Sequence, residues 1–103
     1  MDESIVKHLD TKVMKLSEAI RIGAKIRPQC RSRAFMNGGS CAIGAAYEGL
    51  YGKPWPEEDW ETFPWMSTLA MRFPKVSICE IMDRNDRGES RESIADWLEA
   101  QGY

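Results

Sequence analysis

One cysteine stands where a helix is expected to begin, and it is the residue of this sequence that comes closest to a nucleophile. Cys41 follows Ser40 at the predicted helix start, where the partial positive charge of a helix end can lower the pKa of a thiol. A nucleophilic cysteine also needs a base, and the sole histidine, His8, lies in a segment that we expect to be loosely docked. We therefore expect Cys41 to be a buried structural cysteine, and we predict no catalytic residues.

The glycines on either side of Cys41 have the spacing of a phosphate-binding loop. Gly39 and Gly44 fit the pattern G-x-x-x-x-G, in which backbone N–H groups hold phosphate. In such a loop Lys and then Ser or Thr follow the second glycine, but Ala45 and Ala46 occupy those positions here. No strand is predicted before the loop either. We predict an ordinary helix start and no cofactor.

A short polar stretch in the C-terminal third combines acids with an amide: Asp83, Asn85, Asp86 and Glu89. Calcium loops take several oxygen ligands from one turn. Aligned with such a loop, the stretch has Arg87 at the fifth position and Ile94 at the twelfth, so one oxygen ligand and the bidentate glutamate are missing. We predict a polar turn without a metal, in which Asp83, Asn85 and Asp86 are candidate contacts for a partner protein.

Three tryptophans lie in a segment rich in proline and acids: Trp55, Trp60 and Trp65. Large aromatic residues dominate the energetics of interfaces, but they also anchor irregular segments to a core. We expect about two of the four aromatics in this segment, Phe63 included, to cover the core. The others are expected to be exposed, and the three tryptophans are the candidate partner-binding residues.

Basic residues between positions 21 and 33 offer an alternative surface: Arg21, Lys25, Arg27, Arg31 and Arg33. Such side chains bind nucleic-acid phosphates, and two helices joined by a connection also occur in helix-turn-helix domains. The second helix here has no Arg, Lys, Asn or Gln from Cys41 to Tyr51, so it is unsuited to reading bases. Phosphate contact through the five basic residues is therefore the alternative to protein binding.

The composition is that of one small domain. A chain of 103 residues with 43% hydrophobic residues can build a single core. Its net charge of −2 gives no general attraction to nucleic acid or to an anionic membrane. Met1–Ala34 has eight Lys and Arg against four Asp and Glu, whereas the remainder has six against twelve. We expect these opposite charges to neutralise each other on folding.

Cysteine usage favours a reducing compartment. Cys30, Cys41 and Cys79 are odd in number and have no CxxC spacing, and no apolar run has the character of a signal peptide or a membrane span. We expect a cytoplasmic protein without membrane contact.

The elements that must position these residues are arranged around one central helix, residues 41–51, that carries no charge before Glu48. No charged residue occurs between Arg33 and Glu48, and a helix without a polar face belongs in the interior. Ser40 is the expected N-cap, and Gly52 is the expected end. Small residues keep one face of this helix flat enough for a second helix to come close.

The second helix of that contact is predicted to precede it, with Ser17 as its cap. The buried face of this first helix is predicted to comprise Leu16, Ala19, Ile20, Gly23 and Ile26. Ala19 and Gly23 are expected to lie against the central helix. Their predicted neighbours there are Cys41 and Ala45.

The fold class predicted from these patterns is all-α. Later helices are expected from Pro56, over Met66–Phe73, from Pro74 to the polar turn Asp83–Ser90, and from the cap Ser90 to Gly102. No stretch alternates apolar and polar residues with period two, so no strand is predicted. We expect four or five short helices around the central helix in a single domain of residues 14–103, preceded by a mobile or loosely docked segment, 1–13.

Three segments together resemble a group of small uncharacterised bacterial and phage proteins. Residues 16–24 read LSEAIRIGA, residues 41–48 read CAIGAAYE, and ND at 85–86 is followed by SRESIADWL at 90–98. The group shares LSEAIRLGA, CALGAAYEA and ND…SREQIADW in the same order. Some members carry a Cys-Pro-x-Cys-like element before ND, which suggests a metal knuckle. This chain keeps one cysteine there, Cys79, so no metal is expected.

The sequence thus identifies an architecture more clearly than an activity. One histidine and no cofactor loop leave few groups for acid and base catalysis, which favours a non-enzymatic protein. The expected role is binding to another protein, in a phage or mobile-element setting that only the resemblance suggests. Nucleic-acid binding through the basic residues is the alternative.

Overall fold

The structure, a computed structural model, describes residues 14–31, 33–54 and 63–103. The elements in these ranges are α1 (Leu16–Ala24), β1 (Phe35–Met36), β2 (Gly39–Ser40), α2 (Ala42–Tyr51), α3 (Phe63–Arg72), α4 (Ile78–Asp86) and α5 (Arg91–Ala100). The predicted all-α class is confirmed, since the only strands in the described part of the chain are two residues long. The segment 1–13 and the helix predicted from Pro56 lie outside the described residues.

Helix α2 lies in the interior, as the absence of charged residues before Glu48 predicts. Most of its residues are buried, and Gly52 ends it with a left-handed φ of 75°. The N-cap is Cys41 and not the predicted Ser40, because the Cys41 sulfur accepts a hydrogen bond from the Gly44 N–H at 3.5 Å. Ser40 is one residue too early and belongs to β2.

Helices α1 and α2 run antiparallel with very little space between them. A Cβ atom on Gly23 would overlap the main chain of Ala45, and one on Gly49 would overlap that of Ala19. The predicted contact between Gly23 and Ala45 is therefore confirmed. Ala19, however, faces Gly49 and not Cys41.

The start of α1 differs from the prediction. Its N-cap is Lys15, and Ser17 is a fully buried residue of the first turn. The Ser17 N–H, one of the first-turn donors without a partner in the helix, donates to the main-chain oxygen of Tyr103 at 2.9 Å, so the C-terminal end of the described chain satisfies it.

The remaining helices surround this pair and share one core. Its fully buried aliphatic side chains come from all five helices: Leu16, Ile20, Ile43, Leu69, Ile81, Ile94 and Leu98. The predicted ends of α5 are confirmed, since the Ser90 hydroxyl caps it at 3.1 Å and Gly102 follows it with a φ of 93°. Among the described residues, no helix has the length and apolar character that crossing a bilayer requires.

Two predictions about the segments between helices are wrong. The first is that the chain has no strand, because strands β1 and β2 form an antiparallel hairpin around Asn37 and Gly38, which both have positive φ. Asn-Gly is a common hairpin turn, but strands of two residues are too short to show alternation. Helix α4 begins after the cap Ser77, not at Pro74, and continues to Asp86. The first half of the predicted polar turn is therefore the last turn of a helix.

Candidate functional site

A buried polar cluster fixes the connection between α1 and α2. We define it as Gln29, Ser40, Asn85 and Arg91. Arg91 is 7% exposed, and its guanidinium donates to the Ser40 hydroxyl at 2.9 Å and to the Ser40 carbonyl at 3.3 Å. It also donates to the carbonyls of Arg27 at 2.8 Å and Ala24 at 3.4 Å. Burial lowers the pKa of Arg91, and its four acceptors are neutral oxygens.

The Asn85 side chain completes this cluster from α4. Its amide oxygen accepts from the first N–H of α2, that of Ala42, at 3.0 Å and from the Gln29 amide at 2.8 Å. Its amide nitrogen donates to the Cys30 carbonyl at 2.9 Å. Asn85 is fully buried, so this candidate partner contact belongs to the interior of the protein.

Two of the five candidate phosphate contacts are bound by carboxylates of the same chain. Arg21 pairs with three acids of α5: Glu92 at 3.5 Å, Asp96 at 2.6 Å and Glu99 at 3.1 Å. Hydrogen bonds to Asp96 and Glu99 raise its pKa. Arg27 binds the buried Glu48 carboxylate through two bonds of 2.8 and 2.7 Å. The basic N-terminal part is thus partly neutralised by acids from the rest of the chain, as the charge distribution predicts.

The other three basic residues are exposed. Lys25 lies at the C-terminal end of α1, and Arg31 and Arg33 lie in the connection to α2. The Arg31 guanidinium lies next to Gly88 in the turn that follows α4. These three side chains point to solvent from a connection whose main chain the buried polar cluster holds in place.

The acidic candidates lie on the outer side of α4. Asp83 and Asp86 are exposed, and Asp83 pairs with Arg87 at 3.1 Å. Glu89 receives hydrogen bonds from Arg84 at 3.0 Å and from the Ser93 hydroxyl at 3.0 Å. In residues 14–31, 33–54 and 63–103, no three His, Cys, Asp or Glu side chains come together as metal ligands would.

The environment of Cys41 keeps its thiol protonated. It is 5% exposed, and burial raises its pKa to about 11 despite hydrogen bonds from the main chain of the helix start. A catalytic cysteine that attacks as a thiolate needs the opposite shift. His8, the candidate base, lies outside the described residues.

The tryptophan candidates fall outside what the structure describes. Trp55 and Trp60 are among the residues that it leaves out, and Trp65 lies in α3 with its side chain outside the described part. They stay candidates from the sequence alone.

An exposed aliphatic pair on α1 was missed by the sequence interpretation. Ile22 is 42% exposed and Ile26 is 49% exposed, with the exposed Lys25 between them; we call these three residues the Ile22–Ile26 surface. Ile26 was expected on the buried face, but α1 ends at Ala24 and Ile26 sits in the following turn. The sequence signal that could have identified this surface is the spacing of four residues between Ile22 and Ile26, which lie outside the pattern of small residues.

Comparison with known proteins adds no relative. No protein-family model matches this chain, and neither does any curated protein or solved structure.

Proposed function

We propose that the protein is a small helical domain that binds another protein, and that the Ile22–Ile26 surface contributes to the contact. The observation that carries this proposal is the exposure of two neighbouring isoleucines, 42% for Ile22 in the last turn of α1 and 49% for Ile26 in the turn that follows it. Covering such side chains removes apolar area from water and contributes about 25 cal/mol per Å² to binding.

Two further groups of residues are proposed to extend the contact. The first consists of Trp55, Trp60 and Trp65, whose large aromatic rings suit an interface. The second is the outer side of α4, where Asp83 and Asp86 are exposed. A reducing, cytoplasmic setting agrees with three cysteines that carry thiols. The proposal of a phage or mobile-element origin rests on the resemblance alone.

Nucleic-acid binding is the weaker candidate. Arg21 and Arg27 are bound by carboxylates of the chain itself, so phosphate contact is proposed for the exposed residues Lys25, Arg31 and Arg33. A gel shift at low salt that disappears in the double charge reversal Arg31→Glu/Arg33→Glu would favour nucleic acid over protein as the partner.

The proposed surface is tested with the tagged full chain in lysate of the native host. A photoreactive phenylalanine analogue at position 22 should cross-link a protein that mass spectrometry identifies. Capture of that protein should fall at least tenfold with Ile22→Glu/Ile26→Glu, as expected when two isoleucines leave an interface. Met71→Glu is the matched control, because Met71 is 82% exposed on α3 and is not part of the surface.

The tryptophans are tested in the same assay. Trp55→Ala/Trp60→Ala should abolish capture while circular dichroism shows unchanged helix content. Capture that survives both this variant and Ile22→Glu/Ile26→Glu would contradict protein binding through these residues. Capture that falls equally with Met71→Glu would contradict the placement of the contact on α1.

A further inference from the structure

Main-chain pairing brings two cysteines opposite each other. Gln29 pairs with Ser40 in a parallel bridge, in which the Cys30 N–H donates to the Ser40 carbonyl at 2.9 Å and the Ser40 N–H donates to the Pro28 carbonyl at 2.8 Å. The register of this single bridge places Cys30 and Cys41, one residue further along both segments, next to each other. Paired segments lie about 4.7–4.9 Å apart, within the Cα separation of about 4.4–6.8 Å that a disulfide spans.

Both cysteines contact the same peptide group. The Cys30 thiol donates to the Arg33 carbonyl at 3.2 Å and lies 3.8 Å from the Ala34 carbonyl, and the Cys41 N–H donates to that same Ala34 carbonyl at 2.9 Å. The Cys41 sulfur accepts from the Gly44 N–H, and Gly44 is so close to the Ala34 carbonyl that a Cβ atom would overlap it. Residues opposite each other in a parallel pair also project to the same side. The register of the pairing therefore places the two cysteine side chains on the same side.

A third observation agrees with this placement. Burial lowers the pKa of Arg91, and Cys30 and Cys41 both lie near enough to oppose that shift when their thiols are ionised. Both sulfur atoms thus lie within electrostatic range of one guanidinium, which is itself held by the buried polar cluster. Cys30 is partly exposed, whereas Cys41 is buried, so an oxidant reaches Cys30 first.

We propose that Cys30 and Cys41 form an intramolecular disulfide when the protein meets a peroxide. The Cys30 thiol loses its proton and the thiolate attacks one oxygen of hydrogen peroxide; the O–O bond breaks, and the products are a sulfenic acid and hydroxide, which takes up the proton that Cys30 released and becomes water. The Cys41 sulfur then attacks the Cys30 sulfur, the S–O bond breaks, and the departing hydroxide takes the Cys41 proton to form a second water. Two thiols are oxidised by two electrons, and one peroxide is reduced to two waters.

This bond would close the segment between residues 30 and 41 into a ring. The segment contains the β1–β2 hairpin and the exposed side chains of Arg31 and Arg33. Its far end is the N-cap of α2. Oxidation would therefore fasten the exposed connection to the start of the central helix and restrict its motion.

The bond is tested on the folded full chain treated with hydrogen peroxide and digested without reduction. Trypsin places each cysteine in a separate peptide, Ile26–Arg31, Ala34–Arg72 and Val76–Arg84, because cleavage before Pro28 and Pro54 is blocked. A linked pair of the first two peptides is expected as the main product. It should form equally in Cys79→Ser and be absent in Cys30→Ser, which changes a partly exposed residue and is expected to fold.

Two results would overturn the inference. One is a link between Cys79 and either other cysteine as the main product of the folded protein. The other is a distribution of pairings that is the same in native buffer and in urea, because the native structure would then have no part in the choice. A second readout is the thermal midpoint, which oxidation should raise in the wild type and in Cys79→Ser but not in Cys30→Ser.

Discussion

The close contact between α1 and α2 leads to a quantitative prediction for Gly49→Ala. The new methyl group would overlap the main chain of Ala19, which is backbone and so cannot move aside as a flexible side chain would. The two helices must separate, and the core on both sides of the contact loses packing. Overpacking of this kind costs about 1–3 kcal/mol and occasionally more.

The expected change in the free energy of unfolding is the overpacking cost minus the gain in helix propensity. Because the obstacle is backbone, we take the upper end, about 3 kcal/mol. Alanine is a better helix former than glycine by about 1 kcal/mol, which offsets part of it. The free energy of unfolding should therefore fall by about 2 kcal/mol, a large share of the about 5–15 kcal/mol typical of a domain. For a chain of this size that is a decrease in Tm of about 10 °C.

Urea unfolding followed by circular dichroism measures this loss. Gly52→Ala is the matched control, since a Cβ atom on Gly52 meets nothing within 4 Å and only its φ of 75° is unfavourable. That control should lose about 1–2 kcal/mol. Gly23→Ala acts on the same contact, so the double variant with Gly49→Ala should lose less than the sum of the two. A Gly49→Ala protein as stable as the wild type, or strict additivity, would refute the close approach of the helices.

Three other predictions concern the polar interior. Asn85→Ala should lower the free energy of unfolding by about 3 kcal/mol in the same assay, because the Ala42 N–H and the Cys30 carbonyl lose their partner; Asp83→Ala, on the exposed side, should cost under about 1 kcal/mol. Glu48→Gln should cost about 3 kcal/mol, because it removes the charge that Arg27 binds in a buried position. The free energy of unfolding should fall by about 3 kcal/mol between pH 9 and 11. The reason is that folded Cys41 keeps its proton up to a pKa of about 11, whereas the unfolded chain releases it near 9.0. Cys41→Ser should remove this dependence on pH, and an unchanged dependence would contradict the raised pKa.

The part of the fold that could be predicted from the sequence is the part that local composition determines. The run without charge that precedes Glu48 and forms the first part of α2 has no polar face for the surface, so its burial follows from hydrophobicity. Gly23 and Ala45 are small residues on the facing sides of two predicted helices, and their contact follows from that. The cap of α2 did not follow, because Ser40 and Cys41 are adjacent acceptors and only the register of the β1–β2 hairpin decides between them.

The polar interior could not be predicted because its partners are far apart in sequence. Asn85 looks like a turn residue in a polar stretch, yet it satisfies groups from the connection that lies more than forty positions earlier. Arg91 is an arginine at the start of a helix, where a basic residue has no local advantage. The packing of α5 against α1 places it beneath the carbonyls of Ala24 and Arg27. Only tertiary structure brings these groups together.

The buried polar cluster also positions both features for which we propose a role, the Ile22–Ile26 surface and the pair of cysteines. Ile26 directly precedes Arg27, whose carbonyl accepts from Arg91, and the Cys30 carbonyl accepts from Asn85. The position of the Ile22–Ile26 surface and the approach of the two thiols therefore depend on the same few hydrogen bonds. Both Asn85 and Arg91 lie in the ND…SRE segment that carries the resemblance. The physical role of that segment in this chain is to hold the irregular connection between α1 and α2 in one conformation. The alanine and glycine residues of the two helices are too small to hold it by packing.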